Sequence, residues 1–354
     1  MRPEAEVGRS PDRLLIVRLG AMGDIVHALP ILASARAEWP AVDIDWLVER
    51  KHFALVNLVE SLSARLVIDT RDVLGSRGWL GAIRQLRARQ YDLVIDAQGL
   101  IKSALLARGT GAPRVIGFAR GHAREAAASW AYTMPVDPGP ARHVVDRNLA
   151  LARAAGVSHL RREFPLEVPP PGPELARVLE TIGGRYAVLN PGAAWPNKRW
   201  PGDRFGALAR RVFARHGLVS LVLWGPDEEA LAHDVVAGAG EAAVMAPRTS
   251  LHDLVAVLAG ASLVVAGDTG PMHLAAALGR PVVGLFGPTD PRRNGPWGRE
   301  DTWVSRSERC ECYHKRQCLA QHWCLGEVSV DEVDAAANRR LTAPDAGPVE
   351  TAGR

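Results

Sequence analysis

Ser262-Leu-Val-Val-Ala-Gly-Asp-Thr-Gly-Pro-Met-His-Leu-Ala-Ala-Ala-Leu-Gly-Arg-Pro-Val-Val-Gly-Leu-Phe-Gly-Pro-Thr-Asp290 reads as strand, turn, helix and strand. Residues 263–266 form a short apolar run, as expected for a strand covered on both faces. Gly267-Asp-Thr-Gly270 interrupts it with turn chemistry. Pro271 suits the first turn of a helix, where a missing N–H costs nothing, and Gly279 is a natural stop. A second apolar strand, residues 282–286, runs into Gly287-Pro-Thr289. The Asp-Thr-Gly turn therefore sits at the carboxyl end of a strand and the amino end of a helix. Free N–H groups and the positive helix end suit that place to a phosphate. Gly270 lets the backbone approach a ligand closely. Asp268, Thr269 and His273 add polar groups at the same mouth. The same residues also fit a plain strand-to-helix turn with Asp268 as its N-cap.

Working outward, 354 residues suit two domains of ordinary size. A hydrophobic fraction of 47% with 23% charged residues is that of a globular chain. The net charge of +4 favours an anionic ligand or surface. No apolar run approaches the ~18 residues of a membrane span. Residues 1–12 lack the apolar core of a signal peptide, so the expected location is the cytoplasm. All four cysteines fall between Cys310 and Cys324, which excludes a fold-wide disulfide framework.

The strand–helix alternation extends through the chain. Strands are expected at 14–19, 44–48, 65–68, 92–95 and 114–118, with helices at 25–38, 53–62, 79–89, 102–107 and 143–155. Glu167-Val-Pro-Pro-Pro-Gly-Pro-Glu174 reads as a semi-rigid linker, because its prolines support no regular element. The pattern then restarts, with strands at 186–190 and 218–224 and helices at 204–215, 228–237 and 251–258. Beyond Trp303 the order weakens, with a last helix at 330–341. The fold class is α/β: two Rossmann-like doubly wound domains with parallel sheets, facing across a cleft that holds one ligand. The expected bounds are 1–166 for the first domain, 167–174 for the hinge, 175–341 for the second domain and 342–354 for a frayed tail.

Polar residues gather at the strand ends. The first half offers Met22-Gly-Asp24 and Asp96-Ala-Gln-Gly-Leu-Ile-Lys102. The second offers Asn190-Pro-Gly-Ala193, Lys198, Trp224-Gly-Pro-Asp-Glu-Glu229 and the Asp-Thr-Gly turn. This division suits a diphosphate donor in the second half and an acceptor hydroxyl in the first. Asp24 is then the candidate general base, or else a helix N-cap. Lys198 reads as a point charge on a leaving phosphate, or as a surface lysine. Glu228 and Glu229 open a helix, and one of them could accept from ribose hydroxyls. No G-x-x-x-x-G-K-[ST] is present, and Gly20-x-x-Gly23 is not the dinucleotide fingerprint.

Between Lys102 and Arg124 lie Arg108, Arg114 and Arg120, with no acid. They read as a solvated basic face or as a docking surface for an anionic acceptor at a membrane; Lys102, Arg120 and Arg124 are the acceptor candidates. Aromatics hardly interleave with these charges, which argues against nucleic acid. Cys310, Cys312, Cys318 and Cys324, with His314 and His322 between them, fit a metal site, reduced thiols or a disulfide. Their spacing is not the paired C-x₂-C of common zinc sites. The cluster follows the last motif, so it is expected to stand apart from the chemistry.

Leu14-Leu-Ile-Val-Arg-Leu-Gly-Ala-Met-Gly-Asp-Ile-Val-His-Ala-Leu-Pro30 resembles the opening of the bacterial lipopolysaccharide heptosyltransferases, glycosyltransferase family 9. So do Asp96-Ala-Gln-Gly-Leu-Ile-Lys-Ser103, Trp224-Gly-Pro-Asp-Glu-Glu229, Gly267-Asp-Thr-Gly-Pro-Met-His-Leu274 and Gly287-Pro-Thr-Asp-Pro291. The first two are most similar to the type that adds the first heptose. The resemblance implies a GT-B fold, an ADP-heptose donor, a Kdo-bearing lipid A acceptor, an inverting single displacement, and no metal or other cofactor in the chemistry. Carried onto this sequence, it makes Asp24 the base, Lys198 a diphosphate contact and Glu228, or its neighbour Glu229, a ribose contact. Asp268, Thr269, Gly270 and His273 would line the donor site. It also implies peripheral contact with the inner membrane. Other readings are a different GT-B nucleotide-sugar transferase or epimerase, or a non-catalytic nucleotide-binding module.

Overall fold

The structure, a computed structural model, describes residues 10–69, 76–298, 300–318 and 323–343. The tail beyond 343, residues 1–9 and His322 lie outside the described residues. The chain divides into two compact units, Met1–Glu167 and Val168–Arg354.

In the first unit the elements follow the order β1 (Arg13–Val17), α1 (Met22–Glu38), β2 (Asp43–Glu49), α2 (Phe53–Asn57), β3 (Ala64–Ile68) and α3 (Ser76–Arg87). Then come β4 (Leu93–Asp96), α4 (Ile101–Gly109), β5 (Arg114–Phe118), β6 (Met134–Val136) and α5 (Val144–Ala155). The second unit opens with α6 (Pro173–Ile182), β7 (Tyr186–Asn190), α7 (Gly202–His216), β8 (Val219–Val222), α8 (Glu229–Ala239), β9 (Ala243–Met245) and α9 (Leu251–Gly260). It closes with β10 (Leu263–Gly267), α10 (Gly270–Ala277), β11 (Val282–Phe286), α11 (Pro291–Asn294), β12 (Thr302–Ser305) and α12 (Val330–Thr342).

Among the described residues each unit carries one parallel sheet, ordered β3-β2-β1-β4-β5-β6 and β9-β8-β7-β10-β11-β12. Counted from each unit's first strand, both orders are 3-2-1-4-5-6. The order reverses between β1 and β4 in one unit and between β7 and β10 in the other. Doubly wound sheets bind ligands at the carboxyl ends of the strands at such a reversal.

The central strands are apolar throughout because helices cover both faces. Leu14, Leu15, Ile16 and Val17 are all fully buried. Leu15 and Val17 share one core with Val94, Val115, Leu106 and Tyr132, while the alternate residues point to the opposite face. In the second unit Leu189, Val222, Val265 and Leu285 pack with Phe205, Leu208 and Val212 of α7 and Val333, Ala336 and Ala337 of α12.

Three strands and two helices, α6 and the four-residue α11, escape the sequence pattern. β6, β9 and β12 are all sheet edges of three or four residues, too short to set up a period. β6 even contains Pro135, which an edge strand tolerates. The expected linker at 167–174 is shorter than its prolines suggested. Gly172 caps α6, Pro173 fills its first turn, and the Gly172 N–H donates to Asp253 Oδ1 at 2.7 Å. Proline at that position starts a helix instead of breaking one.

Candidate functional site

At the mouth between β1 and β4, Asp24 is the third residue of α1, and Ala21, not Asp24, is the N-cap. Its Oδ2 accepts from the Ala21 N–H at 3.3 Å and lies 2.6 Å from Arg18 Nη2. Burial would raise this carboxyl. The Arg18 guanidinium, the Ala21 N–H and the more distant charge of Arg124 outweigh that and hold it below the ordinary aspartate range. A third of the Asp24 side chain remains exposed, so an ionised carboxylate stands open to a ligand.

Arg18 is fixed from behind. It is buried, it donates to the Ala97 carbonyl, and its own carbonyl accepts from Trp46 Nε1 at 3.1 Å. Gln98 Oε1 accepts from the Leu19 and Gly20 N–H groups at 3.0 and 3.3 Å, tying the two loops of the mouth together. The His52 ring packs against Gly20, where any Cβ would collide with it. Burial and Lys51 hold His52 below its ordinary value, against Glu49 and Asp24.

Asp96 is the counterpart at the end of β4, and it is closed. It accepts from Ser103 Oγ and Tyr132 Oη at 2.8 Å each, and from the Gln98 and Gly99 N–H groups at 2.8 and 3.3 Å. Burial pushes its carboxyl up in spite of these donors. Tyr132 reaches it across Gly117, whose missing side chain leaves room for the ring.

Of the basic residues, Lys102 lies in the first turn of α4, and Arg120 and Arg124 lie in the loop after β5. All three are exposed and belong to the carboxyl edge of the sheet. Arg114 opens β5 and so lies at the opposite edge, half-buried; the run from 102 to 124 is not one face. Glu125 links these loops: its Oε2 accepts from the Ile101 N–H at 2.6 Å and its N–H donates to the Gly99 carbonyl at 2.9 Å.

At the mouth between β7 and β10, Asp268 is not an N-cap either; Thr269 occupies that position. Asp268 Oδ2 lies 2.7 Å from Lys198 Nζ, and its Oδ1 lies 3.0 Å from His273 Nε2. Burial would raise the carboxyl, but His273 and Lys198 drive it far below the ordinary range. Asp268 and His273 are both buried, whereas Thr269 and Gly270 are half-exposed at the start of α10. Lys198 ends a short 3-10 turn, Pro196–Lys198, and sits 4.6 Å from the centre of the Trp195 ring. Asn190 donates to the Gly192 carbonyl at 3.0 Å and to Thr269 Oγ1 at 3.4 Å, joining the two loops.

The two neighbouring glutamates differ sharply. Glu228 turns inward: it pairs with Arg199 at 3.2 Å, accepts from the Gly225 N–H at 3.1 Å, and stands where a Gly192 side chain would be. Glu229 faces solvent beside His233. The structure therefore brings Lys198, Asp268, Thr269, Gly270, His273 and Glu228 to the carboxyl edge of one sheet, and Asp24, Lys102, Arg120 and Arg124 to that of the other.

In space the cysteine cluster lies beside the turn that ends in Lys198. Cys310, Cys312 and Cys324 gather their sulfurs within 4.8 Å of one another, and no described cysteine forms a disulfide. Cys324 packs against Gly287, and Asn197, next to Lys198, donates to Cys312 Sγ at 3.4 Å. The segment follows the last motif in sequence but folds back onto it. The sequence assigned no role to Arg18, Gln98, His52, Tyr132 or Arg199. Arg18, the charge that ends an apolar strand, was the legible signal; the others depend on long-range packing.

Residues 79–324 match the sequence profile described as glycosyltransferase family 9 (heptosyltransferase). The chain is 35% identical over 317 residues to a lipopolysaccharide heptosyltransferase 1 of Pseudomonas aeruginosa, covering 87% of this chain and 88% of that one. The solved E. coli heptosyltransferase WaaC with ADP superposes at a TM-score of 0.75 with 27% identity, covering 93% of this chain and 99% of that one. The same enzyme with ADP-2-deoxy-2-fluoro heptose gives 0.70 at 28% identity, over 91% and 98%. With two Rossmann-like units, the motifs in order and these matches, the chain belongs to glycosyltransferase family 9, the heptosyltransferases.

Proposed function

We propose that this chain moves heptose from ADP-heptose to the Kdo-bearing inner core of lipopolysaccharide, with inversion at the anomeric carbon. As a family 9 member it is a glycosyltransferase. The observation that carries the finer reading is the Lys198–Asp268 pair, 2.7 Å apart at the start of α10. It fixes a cation beside a positive helix end, which is what a leaving diphosphate requires. Asp24 takes the proton of the acceptor hydroxyl. The freed oxygen attacks the anomeric carbon, the bond from that carbon to the diphosphate breaks, and ADP leaves with its charge met by Lys198. Glu228 is the better placed of the two glutamates to accept from the ribose. Asp268 and His273 act through Lys198, since their polar atoms are already engaged. Lys102, Arg120 and Arg124 meet the anionic groups of the acceptor. The step uses no metal at the reacting carbon.

The acceptor is a lipid, so the enzyme works at the inner face of the membrane. Trp130, 77% exposed, lies on the turn Ala126–Ala131, which packs on α4; α4 in turn packs on α3. Ile101 and Leu105 of α4 and Leu80 of α3 are also exposed, beside Lys102 and Arg108. Apolar tips among cations suit the headgroup region of an anionic bilayer. No described helix is long and apolar enough to cross a membrane.

The test is release of ADP from ADP-heptose by the purified protein. The reading expects release only when a Kdo-bearing lipid A acceptor is added, together with a gain of one heptose in the mass of the acceptor. Release that ignores the acceptor, or isomerised sugar with no transfer, overturns it.

A further inference from the structure

The segment that carries the cysteines has little regular structure of its own. Between β12 and α12 the described residues form only two short 3-10 turns, Ser307–Arg309 and Cys324–Glu327. Yet three thiols converge inside it. Cys310 Sγ lies 3.3 Å from Cys312 Sγ and 3.4 Å from Cys324 Sγ. Cys312 and Cys324 are 3% and 6% exposed. A tetrahedral thiolate site with metal–sulfur bonds of about 2.3 Å sets its sulfurs about 3.8 Å apart, close to what these residues hold. Three thiols gathered within 4.8 Å cannot all be paired with one another as disulfides.

A second observation concerns the surroundings. Asn197 Nδ2 donates to Cys312 Sγ at 3.4 Å and to the Lys315 carbonyl at 2.8 Å. Amide N–H groups that donate to a ligand sulfur are the usual outer support of a thiolate site. The Asn197 carbonyl accepts from Trp323 Nε1 at 3.3 Å. The turn that ends in Lys198 is therefore held from both sides by the cysteine segment. Arg316 of that segment also lies 5.7 Å from the centre of the Trp195 ring, the ring on which Lys198 rests.

We propose that Cys310, Cys312 and Cys324 bind one thiophilic metal ion, zinc or iron, and that this ion fixes the Asn197–Lys198 turn for the donor. Three thiolates select these two metals over magnesium, calcium or manganese. The ion touches no reacting atom. It supplies to a loop-rich segment the rigidity that a small core cannot. The binding clause stands on the cysteines alone, whereas the clause on the donor rests on Lys198 contacting the diphosphate.

The test uses the full chain, purified under reducing conditions without chelator. Elemental analysis is expected to find about one zinc or iron per chain, as for a single thiolate site. The Cys310→Ser/Cys324→Ser variant loses it. Cobalt(II) added to metal-stripped wild type gives the absorption of tetrahedral thiolate coordination, and the stripped wild type needs no mutation to fold. ADP affinity, by calorimetry, falls about tenfold on stripping, the worth of one well-placed hydrogen bond, and returns with the metal. Lys198→Ala loses ADP affinity with metal content unchanged, which separates failure of the donor assignment from failure of the metal site. Protein that is purified without metal, and binds zinc and iron(II) no more tightly than the double variant, overturns the site. Bound metal whose removal leaves ADP affinity intact overturns the coupling to Lys198.

Discussion

Asp96 and Asp268 occupy the same place in two sheets of the same strand order, at the end of each unit's fourth strand. Their partners differ. Asp96 is surrounded by neutral donors, Tyr132, Ser103 and two backbone N–H groups, and burial pushes its carboxyl up. Asp268 is clasped by Lys198 and His273 and is driven far down. One topology thus surrounds its carboxylate with neutral donors in the first unit and with a charged clasp in the second. The open charge of the first unit comes from Asp24, one turn into α1, where Arg18 keeps it ionised. The fold supplies the position, and the partners decide whether a carboxylate is scaffold, clamp or base.

The strongest way to break this comparison is to neutralise Asp24. Asp24→Asn keeps the shape of the turn but removes the proton acceptor. Turnover is expected to fall about 10²–10⁴-fold, the usual worth of a general base. The melting temperature should stay near that of wild type. A variant with turnover near wild type removes Asp24 from the chemistry.

Arg18→Gln is the next largest. Arg18 favours the charged form of Asp24, so its loss raises the folded-state pKa. The proposed base is active only when ionised, so the acid limb of kcat/KM is expected to move to higher pH. An unmoved acid limb shows that Arg18 does not tune Asp24.

Tyr132→Phe should act on stability alone. It takes one donor from the buried Asp96 and costs about 1–3 kcal/mol in urea unfolding. Asp96 has a raised pKa, so its ionised form costs stability at neutral pH and the cost is relieved on acidification. Asp268 has the opposite sign. Its stabilisation is present above the unfolded aspartate value near about 3.9 and fades as pH falls through the depressed native one. Tyr132→Phe that lowers turnover at unchanged stability makes Asp96 part of the reaction and erases the contrast.

Much of this was legible beforehand. The central strands declared themselves through unbroken apolar runs such as Leu14–Val17 and Val282–Phe286. The glycine-bearing turns marked both mouths. What escaped is physical in kind. Edge strands β6, β9 and β12 are too short for a period, and Pro173 reads as a breaker until it is seen opening α6. Neither Asp24 nor Asp268 caps its helix, because each is engaged by a cation: Arg18 six residues upstream, and Lys198 seventy residues upstream. Glu228 and Glu229 are indistinguishable in sequence, since only the register of the turn before α8 decides which one meets Gly192. The cysteines looked remote because distance along the chain says nothing about a segment that folds back onto Asn197.

The central claim is that the two mouths divide the work, the second holding the donor and the first activating the acceptor. Calorimetric titration of ADP into Lys198→Ala and Asp24→Asn tests it most directly. Lys198→Ala should weaken ADP by about 1–3 kcal/mol, the cost of a lost charged hydrogen bond, while Asp24→Asn binds ADP as wild type does. Unchanged ADP affinity in Lys198→Ala, or a comparable loss in Asp24→Asn, contradicts the division.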